Sequence, residues 1–180
     1  MWKPKRSWLL LGLAALQFSA APAQVIVSTR FECLWWNEAQ MAKFDPNHPP
    51  SKETRVTLKR WEYTDPVGVP HPDVVELVVE VRNDSNAPAK AVAPLASLQW
   101  LEGAQVRQAS ARWTGPTAMP KIAPFDLNAG ETRTLRLPID VAGKMKALET
   151  AGRWPWALRV SIVLPQQRSV RAELPIRPGD

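Results

Sequence analysis

Apolar and polar residues alternate with a period of two along much of the chain, most clearly in Val74–Arg82 and Phe125–Val141. In the first stretch Glu76 and Glu80 mark a polar face, and the opposite face is entirely apolar. In the second, a turn precedes an apolar face made of Leu135, Leu137, Ile139 and Val141. This period predicts β-strands with one face on a core and the other in water. The two stretches are expected to pair with each other, and the second also with Trp156–Leu164.

Six other stretches are also predicted to be strands: Gln24–Phe31, Arg55–Tyr63, Leu95–Leu101, Ala104–Trp113, Trp156–Leu164 and Arg168–Ile176. Glu102-Gly103 is predicted to form the hairpin turn before Ala104. Prolines in 87–94 and 115–124 predict sheet edges or crossings between sheets. About seven strands from Arg55 onward, with no long helices between them, predict an all-β, antiparallel β-sandwich.

Two short helices are predicted from local changes in this pattern. After Val141 the apolar residues Met145 and Leu148 follow at i+4 and i+7, which predicts one short helix near 143–151 that closes one end of the sandwich. Asn37–Phe44 is the other predicted helix, with Asn37 as its N-cap.

The first 23 residues have the three parts of a secretory signal peptide. Lys3, Lys5 and Arg6 precede an apolar run from Trp8 to Phe18, and Ala21-Pro22-Ala23 is a small-x-small cleavage site before Gln24. The run is shorter than the roughly 20 apolar residues that span a bilayer, and an uncleaved membrane anchor is the alternative. The chain is therefore predicted to be periplasmic or secreted, with no membrane span after cleavage.

Cleavage would lower the formal net charge from +6 to +3, because the first 23 residues carry three basic residues and no acids. The remaining arginines are scattered along the strands, which argues against a nucleic acid as the partner. The other 157 of the 180 residues are enough for one domain with its own core. Cys33 is the only cysteine. Three roles are considered for it: burial in the core, an intermolecular disulfide, and a ligand of a soft metal.

The order of the elements resembles a known class of module. Three features, taken in order, resemble immunoglobulin-like accessory modules of exported bacterial proteins. They are an apolar strand that ends in Asn83, a later strand start at residues 127–132 (Leu-Asn-Ala-Gly-Glu-Thr), and a short helix before a final hairpin. The order is also similar to the water-stress/hypersensitive-response domain of type-two late embryogenesis abundant proteins. That family has Asn-Pro-Asn after its first long strand, where this chain has Asn-Asp-Ser-Asn at residues 83–86.

The resemblance covers Arg55–Ile176 and implies an immunoglobulin-like antiparallel β-sandwich, and such a fold does not by itself imply a function. The predicted organisation is a signal peptide over residues 1–23, an aromatic-rich segment over 24–54 that packs on the sandwich, and the β-sandwich domain over 55–180.

Aromatic residues supply the candidate binding site. The candidates for binding a ligand or partner are Trp35, Trp36, Trp61 and Tyr63. Exposed aromatic rings stack on sugars or fill pockets on a protein partner. The alternative is that these rings pack on one another as part of the core.

Cys33, His48 and His71 are weak candidates for a soft-metal site, because their side chains suit copper but show no ligand spacing. No cofactor is therefore predicted. The sequence also has no Gly-x-Ser-x-Gly motif, no Cys–His proximity and no phosphate-binding glycine loop, so no enzyme is predicted.

These observations predict a non-enzymatic exported binding module, an accessory subunit of an envelope assembly whose partner is a protein of the cell envelope. A carbohydrate-binding module that holds a glycan with exposed tryptophans is the first alternative. A periplasmic copper binder is the second.

Overall fold

The computed structural model describes residues 24–35, 54–62, 72–165 and 169–177. Within these ranges the chain forms twelve strands and one helix. The elements are β1 Val25–Trp35, β2 Thr54–Leu58, β3 Trp61–Glu62, β4 Val74–Asn83, β5 Ala89–Val92, β6 Leu95–Ala104, β7 Arg107–Trp113, β8 Thr117–Ala118, β9 Phe125–Leu127, β10 Thr132–Asp140, α1 Val141–Glu149, β11 Arg153–Val163 and β12 Val170–Arg177. The prediction of about seven strands was low because β3, β5, β8 and β9 are too short to show an alternating pattern.

The described strands form an all-β sandwich. One sheet has the order β10-β4-β1-β2, and the other has the order β3-β12-β11-β6-β7, with β8 also paired to β6. A small sheet of β5 and β9 lies beside them. The inner faces share a hydrophobic core, whose fully buried members include Leu77, Val79, Leu158 and Leu174.

The long strands confirm the predicted faces, but one predicted pairing is wrong. In β4, Val75, Leu77, Val79 and Val81 are all buried, as the alternation predicted. β10 pairs with β4 along its whole length. It does not pair with β11, which lies in the other sheet between β6 and β12. Alternation fixes the face that a strand buries, and it carries no information about which strand is its neighbour.

The predicted strand over 55–63 is two strands in different sheets. β2 pairs antiparallel with β1, whereas β3 pairs parallel with the end of β12. Lys59 and Arg60 carry the chain from one sheet to the other. Val56 lies opposite the inward Cys33. Trp61 would face the other way in one continuous strand, but it is buried as well because the chain changes sheets between them.

The hairpin between β6 and β7 turns at Gln105-Val106, so the turn predicted at Glu102-Gly103 is wrong. Glu102 and Gly103 both lie within β6 and are buried. Gly103 is required there because β7 passes closely over it. A Cβ on Gly103 would lie 2.8 Å from the Cα of Ala111.

β1 is an interior strand of the sandwich, between β4 and β2. The sheet therefore includes residues that the sequence assigned to the separate segment 24–54. Cys33 points to the inner face of this strand and is buried, with 1% of its surface exposed. The helix predicted over 37–44 lies outside the described residues.

α1 follows β10 directly and confirms the predicted helix, two residues earlier than expected. Asp140 is its N-cap, and its Oδ1 accepts a hydrogen bond from the Gly143 N–H at 2.7 Å. Val141, Met145 and Leu148 face the core from this helix. The helix therefore closes one end of the sandwich.

Candidate functional site

The predicted aromatic site is not assembled in the described part of the chain. Trp61 is a core residue, 1% exposed, and its Nε1 donates to the Pro72 carbonyl at 3.1 Å. Its ring therefore offers no surface to a ligand. Trp35 ends β1, and its side chain lies outside what the structure describes, as do Trp36 and Tyr63.

The weak metal candidates are not brought together either. Cys33 is buried on the inner face of β1, and His48 and His71 lie outside the described residues. In the described ranges, no group of three or more His, Cys, Asp or Glu side chains is placed to hold a metal ion. No helix in the described ranges has the length and apolar character needed to cross a membrane.

The outer face of the β10-β4-β1-β2 sheet carries a continuous network of ion pairs. Arg136 bridges two carboxylates that lie opposite each other on neighbouring strands, Glu32 at 2.8 Å and Glu76 at 2.9 Å. Two like charges in these positions would repel each other without that bridge. Arg30 joins Glu32 at 2.6 Å to Glu80 at 2.7 Å. The side chains cover this face so well that Val78, in register between the two arginines, is fully buried.

Glu32 is the most buried member of this network, with 7% of its surface exposed. Its burial raises the pKa of the carboxyl group, but hydrogen bonds from Arg136 and Arg30 outweigh this effect and hold the pKa below its ordinary value. The pKa of Arg136 is raised, first by its hydrogen bond to Glu32. Each carboxylate oxygen of Glu32 accepts a hydrogen bond from an arginine, so Glu32 stabilises the sheet.

A pocket of about 370 Å³ opens between the two sheets, at the side where β10 ends and α1 begins. Its walls come from four separate elements and the segment after β8. The lining residues are Leu98, Trp100, Thr117, Ala118, Met119, Pro120, Pro138, Ile139, Asp140 and Lys144. Most of these side chains are apolar, and an apolar concavity with a few polar groups is the usual form of a binding site.

Lys144 connects this pocket to a buried carboxylate. Its Nζ lies 5.8 Å from the centre of the Trp100 ring and 2.6 Å from Oε1 of Glu102. The other oxygen of Glu102 lies 2.8 Å from Arg153. The Glu102 side chain is 5% exposed, and two cations compensate the cost of burying its charge.

The sequence did not predict this pocket. Leu98 and Trp100 alternate within the predicted strand Leu95–Leu101, and they form one pocket wall. Glu102 was assigned to a turn, although its position two residues after Trp100 continues the same face. Lys144 approaches from a helix that is distant in sequence, and no local pattern predicts that meeting.

No protein-family model matches the chain, and no curated protein matches it. Among solved structures, a β-glucosidase from Listeria innocua in complex with isofagomine is similar at 13% identity and a TM-score of 0.42, over 88% of this chain and 16% of that one. The alkylpurine DNA glycosylase AlkC of Pseudomonas fluorescens is similar at 17% identity and a TM-score of 0.40, over 58% of this chain and 26% of that one. The chain thus spans a sixth to a quarter of these much longer proteins.

Proposed function

We propose that this protein is an exported, non-enzymatic binding module that docks a protein partner of the cell envelope. The observation that supports the proposal is the apolar pocket beside Trp100 and Lys144. Its volume corresponds to roughly a dozen water molecules, which suits one large apolar side chain of a partner. Aromatic and thioether side chains, here Trp100 and Met119, are frequent in surfaces that bind proteins.

The proposal is tested by a photo-crosslinking residue at Thr117, an exposed position whose side chain lies opposite Leu98 at the pocket. We expect a discrete adduct with an envelope protein in intact cells. Thr134 is the matched control, because it is an equally exposed threonine on the outer face of β10. The Met119→Trp substitution fills the pocket and should remove the adduct at Thr117 while the protein stays folded.

An adduct of equal yield at Thr117 and Thr134, or one that survives Met119→Trp in a protein with wild-type circular dichroism, would contradict docking at this pocket. The absence of any adduct at Thr117 would contradict it as well.

Export is the second part of the proposal, and it is supported by the charged, apolar and small-residue segments of residues 1–23. N-terminal sequencing of the protein from the periplasmic or secreted fraction should give Gln24 as the first residue. A protein that keeps Met1 and remains with the membranes would instead identify residues 1–23 as an anchor.

A further inference from the structure

We infer that the pocket and the basic cluster next to it bind an acidic segment of a protein, with one large apolar side chain in the pocket and carboxylates on the cluster. The basic cluster is defined here as Arg107, Arg112, Lys144 and Arg153, on the Glu102 side of the β6–β7 hairpin. This inference rests on the proposed function, because it specifies the chemistry of the partner at the same pocket.

The first step is the register of the hairpin. Arg112 lies directly opposite Glu102, and Arg107 lies directly opposite Ala104. Arg153 lies opposite Ala104 from the other neighbouring strand. Because side chains of directly opposed residues share a face, Arg112 lies on the side of Glu102, and Arg107 and Arg153 lie on the side of Ala104. The register of β7 shifts between these two pairs, so the three arginines share the Glu102–Ala104 end of the hairpin.

The second step is the balance of charge at that end of the hairpin. Glu102 is the carboxylate at the centre, and it already has Lys144 and Arg153 as ion partners. Arg107 and Arg112 have no carboxylate within ion-pair distance among the described residues, and Arg112 donates only to the Ala111 carbonyl. Asp140 caps α1 and Glu149 ends it, so they compensate part of this surplus but pair with neither arginine.

The outer face of the other sheet shows how arginines are neutralised where the chain supplies carboxylates. On the β10-β4-β1-β2 sheet the outward arginines Arg30, Arg55, Arg82 and Arg136 are each paired with a carboxylate. The hairpin arginines have no such carboxylate among the described residues, and a negatively charged partner provides one.

The third step is continuity with the pocket. Leu98, Trp100, Glu102 and Ala104 alternate along one face of β6, at intervals of about 7 Å. The first two line the pocket, and the last two lie in register with the arginines. This is the inner face of β6, so a peptide approaches it at the opening between the sheets, along the edge that β8 and β7 form beside β6. An extended peptide along that edge meets the apolar cavity beside β8 and then the cations of β7, so it needs an apolar side chain followed by acidic ones.

Lys144 belongs to both regions and can contact a bound carboxylate. Oε1 of Glu102 accepts no well-aligned hydrogen bond from the described residues, so charge rather than a directed bond holds Lys144 there. Arg153 still compensates Glu102 at 2.8 Å if Lys144 turns toward a ligand.

The test uses fluorescein-labelled peptides with a central leucine flanked by glutamates, with the glutamates changed to glutamine in a second peptide and the leucine to alanine in a third. Anisotropy titrations of the full chain should give the tightest binding for the first peptide. The double variant Arg107→Gln/Arg112→Gln should weaken that peptide by about three- to tenfold and the glutamine peptide hardly at all.

The control is Arg55→Gln/Arg82→Gln, which removes the same net charge from the opposite face and should leave the affinity within about twofold. Equal weakening by both double variants, or equal affinity for the glutamate and glutamine peptides, would overturn the inference. Binding to phosphatidylglycerol vesicles or to polygalacturonate in preference to the acidic peptide would overturn it too.

The two proposals fail in different ways. If the Thr117 adduct forms but the peptides show no preference for glutamate, only the acidic chemistry is wrong. If no adduct forms at Thr117, the docking function fails regardless of the peptides.

Discussion

At the scale of single residues, the fold depends on a few buried polar side chains with complete sets of partners. Asn83 is fully buried at the end of β4. Its amide nitrogen contacts the carbonyls of Ala87 at 2.7 Å, Asn128 at 3.0 Å and Leu127 at 3.3 Å. Because the amide has only two hydrogens, these three contacts share a donor. One side chain thus joins the loop after β4 to the turn before β10.

Asn83→Ala should therefore lower the free energy of unfolding by about 2–4 kcal/mol, because it removes a fully buried side chain whose amide nitrogen joins three carbonyls and whose oxygen accepts from Ser85. Chemical denaturation measures this loss. Asn86→Ala is the control, since Asn86 is exposed in the same loop and its substitution should change stability by less than about 0.5 kcal/mol. Equal effects of the two substitutions would contradict the role given to Asn83.

Glu32 provides a second prediction at this scale. Glu32→Gln should destabilise the protein by about 1–3 kcal/mol near pH 7, because the charged carboxylate accepts from two arginines. The pKa of Glu32 is lowered in the folded protein from a reference value of 4.5. The stabilisation is therefore complete above that reference value and is lost as the pH falls through the lower, folded-state pKa.

Urea titrations of wild type and Glu32→Gln from pH 7 down to pH 3 measure this difference. We expect the gap between the two proteins to shrink below about pH 4.5. Glu173→Gln is a control, because its ion pair with Arg159 is half exposed and should contribute less than about 1 kcal/mol. A gap that stays constant down to pH 3 would argue against this account of Glu32.

At the scale of elements, the sequence predicted the long strands and α1 because their patterns are local. The apolar face of β4 and the i, i+4, i+7 spacing of Val141, Met145 and Leu148 in α1 can each be read from nearby residues. The separation of β2 from β3 depends on which distant strand each one pairs with, and the hairpin turn depends on the close passage of β7. Neither the pairing of β2 and β3 nor the position of the hairpin turn is determined by a short stretch of sequence, so both predictions were wrong.

Gly103 tests the hairpin directly. Gly103→Ala should lower stability by about 1–3 kcal/mol, because the new methyl group would overlap the backbone of Ala111 and β7 would have to shift. Gly115→Ala is the matched control, since no atom lies within 4 Å of a Cβ placed there. Thermal unfolding of the two variants measures this difference in stability. If Gly103→Ala leaves the stability unchanged, β7 does not pass so close to Gly103.

At the scale of the whole molecule, two sheets and a helix leave an apolar opening where β6, β8, β10 and α1 meet. The residues around it are far apart in sequence, from Leu98 to Lys144. The all-β sandwich could be predicted from alternation, but this opening could not, because it exists only after the sheets have packed. The aromatic residues singled out in the sequence are a poorer guide, since Trp61 is used to fill the core.

The most direct measurement of the central claim is an NMR titration of protein labelled at methionine methyl groups and at tryptophan indole nitrogens, with the partner captured at Thr117 as the added component. Met119 lines the pocket, whereas Met145 faces the core from α1, is 4% exposed, and is not among the pocket residues. The account predicts a large shift of the Met119 methyl resonance and of the Trp100 indole, with the Met145 resonance unchanged. Unchanged Met119 and Trp100 signals at saturating partner would contradict it.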